Sequence, residues 1–241
     1  MAKKRKTSKT TKRKARRFTP VRWCVRWSVR ILGIVILVAL CVIVAHRVLN
    51  PPMTFYMRQE AARLGEIDHE WVPINEVAPV MARAVVAAED ANFCHHWGFD
   101  MAAIRSAIDS GGTRGASTIS QQVVKNVYLW HGRSWTRKAL EALMTPVVEV
   151  IWPKRRIVEV YLNVAEFDEG VFGIEAASQH YFGVSPDALS DVQAARLAAV
   201  LPNPKDRSAS RPTAKLQKRA ASIQDGAATI LRDGRAACFE D

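Results

Sequence analysis

Cysteine is scarce and unpatterned in this chain, with four in 241 residues, at positions 24, 41, 94 and 238. That excludes a dense disulfide framework, and no zinc-ligand motif is present. Cys94, His95 and His96 are adjacent but have no partner motif. Strand-like alternation is rare and no internal repeat occurs, which argues against β and solenoid architectures. Acidic residues are missing from the first thirty positions, which hold thirteen Lys or Arg. The remaining residues carry 22 bases against 23 acids, so the net charge of +12 belongs to one terminal tail. A broad basic surface wrapping DNA is thereby excluded. The tail alone could meet nucleic acid or anionic lipid, and the segment after it decides between them.

That segment, residues 31–45, is an unbroken apolar run. With Trp27 and Val29 before it and Val48 and Leu49 after it, a helix reaches the roughly 20 residues that a bilayer requires. Arg30, His46 and Arg47 lie where long side chains snorkel, and Trp23 and Trp27 suit the interface. No small-x-small cleavage site follows, so an uncleaved signal anchor is expected. The organisation expected is a basic cytoplasmic tail (1–26), an anchor (27–49) ended by Asn50-Pro51-Pro52, and a domain outside the membrane (50–241). Nucleic acid is not an expected partner. Cys94 and Cys238 fall on the outer side, where a bridge is permitted, and the sequence leaves their pairing open. The apolar residues around Met53, Phe55 and Met57 are candidates for dipping into the interface.

Beyond residue 77 the patterns are helical. Pro79 suits a first turn, and helical spacing recurs over 117–129, 136–150, 154–163, 190–200 and about 213–232. The fold class expected is mainly α. Glu89 and Asp90 end an apolar helix, where the macrodipole and mutual repulsion both favour a raised pKa. Phe93, His96 and Gly98 follow in a turn-rich stretch. Ser117 is a plausible N-cap for the next helix, whose apolar stripe is Ile119, Val123 and Val127. Thr118, Gln122 and Lys125 share another face, and the helix N-terminus suits phosphate. Gln and Asn, as at Gln121, Gln122 and Asn126, are unusual choices for a plain surface helix. Arg137 and Glu141 are an i, i+4 pair, on a helix whose expected core stripe is Leu140, Leu143, Met144 and Val147.

Together these blocks resemble glycosyltransferase family 51. Glu89-Asp90-x-x-Phe93-x-x-His96-x-Gly98 is similar to its first motif, and residues 115–122 (Gly-Ala-Ser-Thr-Ile-Ser-Gln-Gln) to its second. Arg137-Lys138-x-x-Glu141 resembles the third motif. Lys154-x-x-Ile157-Val158-Glu159-x-Tyr161-Leu162-Asn163 resembles the fourth, and residues 194–204 the fifth. Ala116 and Ser120 stand where Gly and Thr are usual, and Phe167-Asp168 where an aromatic-Gly pair is common.

The resemblance implies a lysozyme-like helical glycosyltransferase domain with a small membrane-proximal jaw region and one N-terminal transmembrane helix. It implies a peptidoglycan polymerase of the inner membrane, acting on lipid II and the growing glycan strand at the bilayer. Glu89 and Glu141 are its implied catalytic carboxylates. Asp90, Phe93, His96, Thr118, Gln121, Gln122, Lys125, Asn126, Arg137 and Lys138 are the implied substrate-binding residues. No cofactor is required by the motifs, and a divalent cation (Mg or Mn) at the diphosphate stays open. Proteins of cell-wall synthesis or division are the partner class implied. No Ser-x-x-Lys and no Lys-Thr-Gly occurs, so transpeptidation is not expected. Two rival readings are a membrane-anchored lytic enzyme and a non-catalytic scaffold.

Overall fold

The computed structural model describes residues 20–111, 115–132 and 134–240. Residues 1–19 of the basic tail lie outside them. The chain divides into two compact units, Met1–Val42 and Ile43–Asp241.

The first unit holds most of α1 (Pro20–His46). It is the one helix among the described residues that is long and apolar enough to cross a membrane. Its side chains are exposed all round, from Val21 to Leu40. Such a helix has no amphipathic face to bury in a core. It covers residues from Pro20, the first described residue, to His46. A tertiary cap ends it. Arg156 donates to the carbonyls of His46 (3.1 Å) and Leu49 (2.7 Å) and to Asn50 Oδ1 (3.1 Å), satisfying terminal carbonyls that a free helix leaves orphaned.

The second unit begins with the last turn of α1, where Ile43 is buried and its carbonyl accepts from Trp152 Nε1 at 2.7 Å. Then come α2 (Phe55–Leu64), β1 (Asp68–His69), α3 (Pro79–Glu89), α4 (Met101–Asp109), α5 (Ile119–Tyr128), α6 (Trp135–Ile151) and α7 (Lys154–Val164). A hairpin of β2 (Glu166–Asp168) and β3 (Val171–Phe172) leads to α8 (Ile174–Phe182), α9 (Asp191–Val200), α10 (Ala214–Arg232) and the short α11 (Ala237–Glu240). The fold is mainly α. Its small sheet has the order β1-β3-β2, with β1 parallel and β2 antiparallel to β3.

Two helical layers position the site. α3, α9 and α10 pack on one another, and α5 packs on α6 and α7. Small residues set the first layer: Ala194, Ala195, Ala198 and Ala199 of α9 are fully buried. A Cβ on Gly226 of α10 would stand 3.1 Å from Ala87 of α3. α7 is the centre of the second layer, with Ile157, Val158, Val160, Tyr161 and Leu162 all inaccessible.

Two local expectations are corrected. The N-cap of α5 is Thr118, not Ser117, because Thr118 and Gln121 form a reciprocal capping box. On α6 only half of the expected stripe Leu140, Leu143, Met144 and Val147 meets the core: Met144 and Val147 are partly buried against it. Leu140 and Leu143 are 40% and 70% exposed, while Glu141, Thr145, Val148 and Glu149 are buried. Leu140 and Leu143 face out because part of the inward face carries paired carboxylates. Cys94 and Cys238 form a disulfide, joining the segment after α3 to α11.

Candidate active site

Glu89 is the last residue of α3, and its side chain is 14% exposed. Gln122 of α5 donates Nε2 to Glu89 Oε2 at 2.9 Å. The same amide accepts from the Tyr161 hydroxyl at 3.4 Å, so its orientation is set by α7. Burial pushes the Glu89 carboxyl above the ordinary glutamate range. The Gln122 hydrogen bond and the charges of Arg219 and Lys125 pull it back, and neighbouring Asp90 adds a small push upward. The direction matches the sequence expectation, but the main cause is desolvation, not the adjacent carboxylate.

Asp90 turns the other way, in an extended conformation with φ −160°. Its Oδ1 lies 2.8 Å from His96 Nε2, and its Oδ2 accepts the Ile119 N–H at 3.0 Å. Gly98 N–H donates to His96 Nδ1 at 3.1 Å, which leaves the imidazole proton on Nε2, facing Asp90. Asp90 thus ties the first motif to the N-terminus of α5. Thr118 Oγ1 donates to Gly98 O at 2.7 Å, and Gln121 Oε1 accepts the Thr118 N–H. Phe93 is fully buried beneath the Lys154 ammonium, 4.2 Å from its ring centroid. The side-chain polar atoms of Asp90, His96 and Thr118 and the Oε1 of Gln121 thus have partners within the protein, and Phe93 is buried.

Gly98 is required by geometry. Its φ is +87°, and a Cβ there would meet Thr145 Cγ2 at 2.5 Å.

The second carboxylate, Glu141, is 2% exposed on α6. Arg137 Nη1 donates to its Oε2 at 2.8 Å, and Lys138 Nζ donates to its Oε1. Lys125 lies within electrostatic reach of both Glu89 and Glu141, and burial lowers its pKa. Asn126 Oδ1 is 3.2 Å from His131 Nε2. A cleft of about 190 Å³ opens beside these groups, lined by Gln122, Lys125, Asn126, His131, Tyr161, Tyr56 and Glu166 among others. Glu89, Asp90, Gly115, Ser117 and Thr118 line a second depression of about 300 Å³.

The five ordered blocks therefore lie on or beside α3, α5, α6, α7 and α9, and Leu201 and Pro204 of the fifth also line the cleft. The model of the transglycosylase family matches residues 58–228. The chain belongs to the transglycosylase family. This transglycosylase is 58% identical over 241 residues to the biosynthetic peptidoglycan transglycosylase of Jannaschia sp. (strain CCS1), covering 99% of each chain. It is 50% identical over 202 residues to that of Pseudomonas fluorescens (strain SBW25), covering 80% of this chain and 84% of the other. For that of Caulobacter vibrioides the identity is 44% over 200 residues, covering 81% and 87%. The transglycosylase is an enzyme of peptidoglycan synthesis, a monofunctional glycosyltransferase, with the lysozyme-like helical fold expected from its motifs.

Local sequence reading missed several residues around this site. Arg219 of α10 faces Glu89 at 3.8 Å. Glu149 accepts from Ser120 Oγ and from Lys154 Nζ (2.9 Å), and Lys154 also donates to His96 O at 2.8 Å. Lys154 and Ser120 stood in recognised motifs, but their meeting through Glu149 has no local signal. His131 stacks on Tyr56, with centroids 3.7 Å apart, and burial brings its pKa down to about 4.

Proposed function

We propose that this transglycosylase polymerises lipid II into β-1,4-linked glycan strands, by inverting transfer with release of undecaprenyl diphosphate, and without transpeptidation. The observation that carries the reading is the pairing of two differently held carboxylates through one lysine. Glu89 is buried with a raised pKa and few cations close by, whereas Glu141 holds Arg137 and Lys138, and Lys125 feels both.

A sugar hydroxyl is a poor nucleophile and needs a base in the transition state. Glu89 takes the proton from the acceptor 4-hydroxyl, and its raised pKa makes it a stronger base than an exposed glutamate. The oxygen attacks the donor's anomeric carbon while the bond to the lipid diphosphate breaks. Charge growing on that diphosphate is met by Lys125, Arg137 and Lys138, which Glu141 holds in place. A diphosphate leaves without protonation, so no acid is required, unlike glycoside hydrolysis.

The donor set does not suit a protein-held divalent ion. Both oxygens of Glu141 already carry cations, and among the described residues no three His, Cys, Asp or Glu converge. A Mg or Mn ion would have a place on the ligand's diphosphate, where it would offset negative charge beside Lys125, Arg137 and Lys138.

The proposed topology has the tail in the cytoplasm, α1 spanning the inner membrane and the catalytic domain in the periplasm. Met101 and Ile108 on α4 and Trp135, Leu143 and Val150 on α6 are exposed apolar side chains, which suits a jaw that meets the membrane. Met57, offered as an interface residue, is buried, while Met53 and Phe55 are exposed.

The test is polymerisation of labelled lipid II by detergent-solubilised protein, wild type against Glu89→Gln. A lysozyme-sensitive ladder from wild type and none from the folded variant is expected. Release of muropeptides from cell-wall glycan would instead favour a lytic enzyme.

A further inference from the structure

We infer that Arg219 is a positioning residue for glycosyl transfer, reaching from α10 to hold the Glu89 carboxylate in place and ionised. The inference rests on Glu89 being the base. Arg219 lies outside all five motifs. Its Nη2 is 3.8 Å from Glu89 Oε1, on the side of the carboxylate away from the Gln122 bond to Oε2. Its Nε is buried and makes no hydrogen bond, a desolvation cost with no local return. A surface arginine would turn that edge to water. Here the close seating of α10 on α3, at Gly226 and Ala87, fixes the helix that carries it.

Among the described residues the groups facing Glu89 are few. Gln122 and Lys125 come from α5, the Tyr161 hydroxyl from α7, Asp90 from the next position in the chain and Arg219 from α10. Gln122 is neutral, and Lys125 is shared with the Glu141 cluster. Among these groups Arg219 is therefore the cation given over to Glu89. A general base must be strong yet ionised. Burial supplies the strength, and Arg219 limits the rise so that the carboxylate stays charged at working pH. The guanidinium is 39% exposed, so solvent moderates the effect.

The experiment is the pH dependence of lipid II polymerisation by the full chain in detergent. Wild type is compared with Arg219→Gln, Arg219→Met, Arg219→Lys and Glu89→Gln, each checked for folding by thermal unfolding. Two neutral variants are made so that one folded form suffices. Removing the charge should move the acidic limb upward by about half to one pH unit. Arg219→Lys should return it to the wild-type position. A purely structural role would lower the rate equally at every pH. An unmoved limb in a folded neutral variant, or a limb that Lys fails to restore, overturns the inference and leaves Glu89 as the base. An active Glu89→Gln overturns the assignment of the base itself, and the role of Arg219 falls with it.

Discussion

Glu89 carries a conflict between stability and chemistry. Its carboxyl is buried and its pKa lies above the ordinary glutamate value of 4.5. Between that value and the raised one, the folded chain binds more protons than the unfolded chain. Stability contributed by the protonated form is therefore lost as pH rises through the folded pKa. At neutral pH the ionised carboxylate costs stability. Glu89→Gln keeps an acceptor for Gln122 Nε2 and removes the buried charge. The variant should lose about 10²- to 10⁴-fold in polymerisation rate. It should also melt about 2–4 °C higher than wild type at neutral pH. Differential scanning fluorimetry decides this, and a lower melting temperature would sink the account. Asp90, its neighbour, meets His96 and the Ile119 N–H, so under the proposed mechanism adjacent carboxylates divide into a base and a member that holds the loop.

At the scale of elements, α6 departs from the usual amphipathic logic. Leu140, Leu143 and Val150 face out while Glu141 and Glu149 lie buried beside Val148, because the two carboxylates are held by Arg137, Lys138 and Lys154. Leu143→Gln should change stability by less than about 0.5 kcal/mol. Val148→Ala, on the buried face, should cost roughly 2 kcal/mol. Urea unfolding of both reads the comparison, and a large loss from Leu143→Gln would return that stripe to the core. The loop after Glu89 is held from outside its own motif. Arg235 donates to Ala91 O at 2.9 Å, the disulfide ties Cys94 to Cys238 across 144 residues, and Phe239 is buried near Phe93. A loop of that length gives an unfolded-state constraint of on the order of 3–5 kcal/mol. Cys238→Ser, or reduction by a phosphine, should lower the urea midpoint accordingly. A midpoint unchanged by reduction would mean that α11 holds by packing alone.

The whole molecule places its structural boundary inside α1. Ile43 and the carbonyls of His46 and Leu49 belong to the folded unit through Trp152 and Arg156. Deleting residues 1–42 should leave the melting temperature of the remainder close to that of the full chain. Deleting residues 1–50 removes three acceptors from a buried guanidinium and should cost about 3–5 kcal/mol. Thermal unfolding of the two truncations separates them. Equal stability would show that the anchor is joined to the domain by the chain alone.

The sequence by itself determined the long apolar helix, the helical class and the five motif blocks. An unbroken apolar run, helical periodicity and fixed short spacings are local signals, and they survive whatever surrounds them. It also placed Glu89 at a helix end. Tertiary structure decided which side chains meet one another. The Thr118 hydroxyl closes a capping box and donates to Gly98 O, partners that its motif does not reveal. The outward Leu140 and Leu143 of α6 read as core because periodicity reports where apolar residues lie, not what they meet. Arg219 was invisible because one base beside Lys215 and Lys218 on an alanine-rich helix looks like part of a solvated face. Its role depends on two helices more than a hundred residues apart, and the cap of α1 by Arg156 and the Cys94–Cys238 bond depend on pairs just as distant. Such pairs are fixed by packing, so no short window of sequence can contain them.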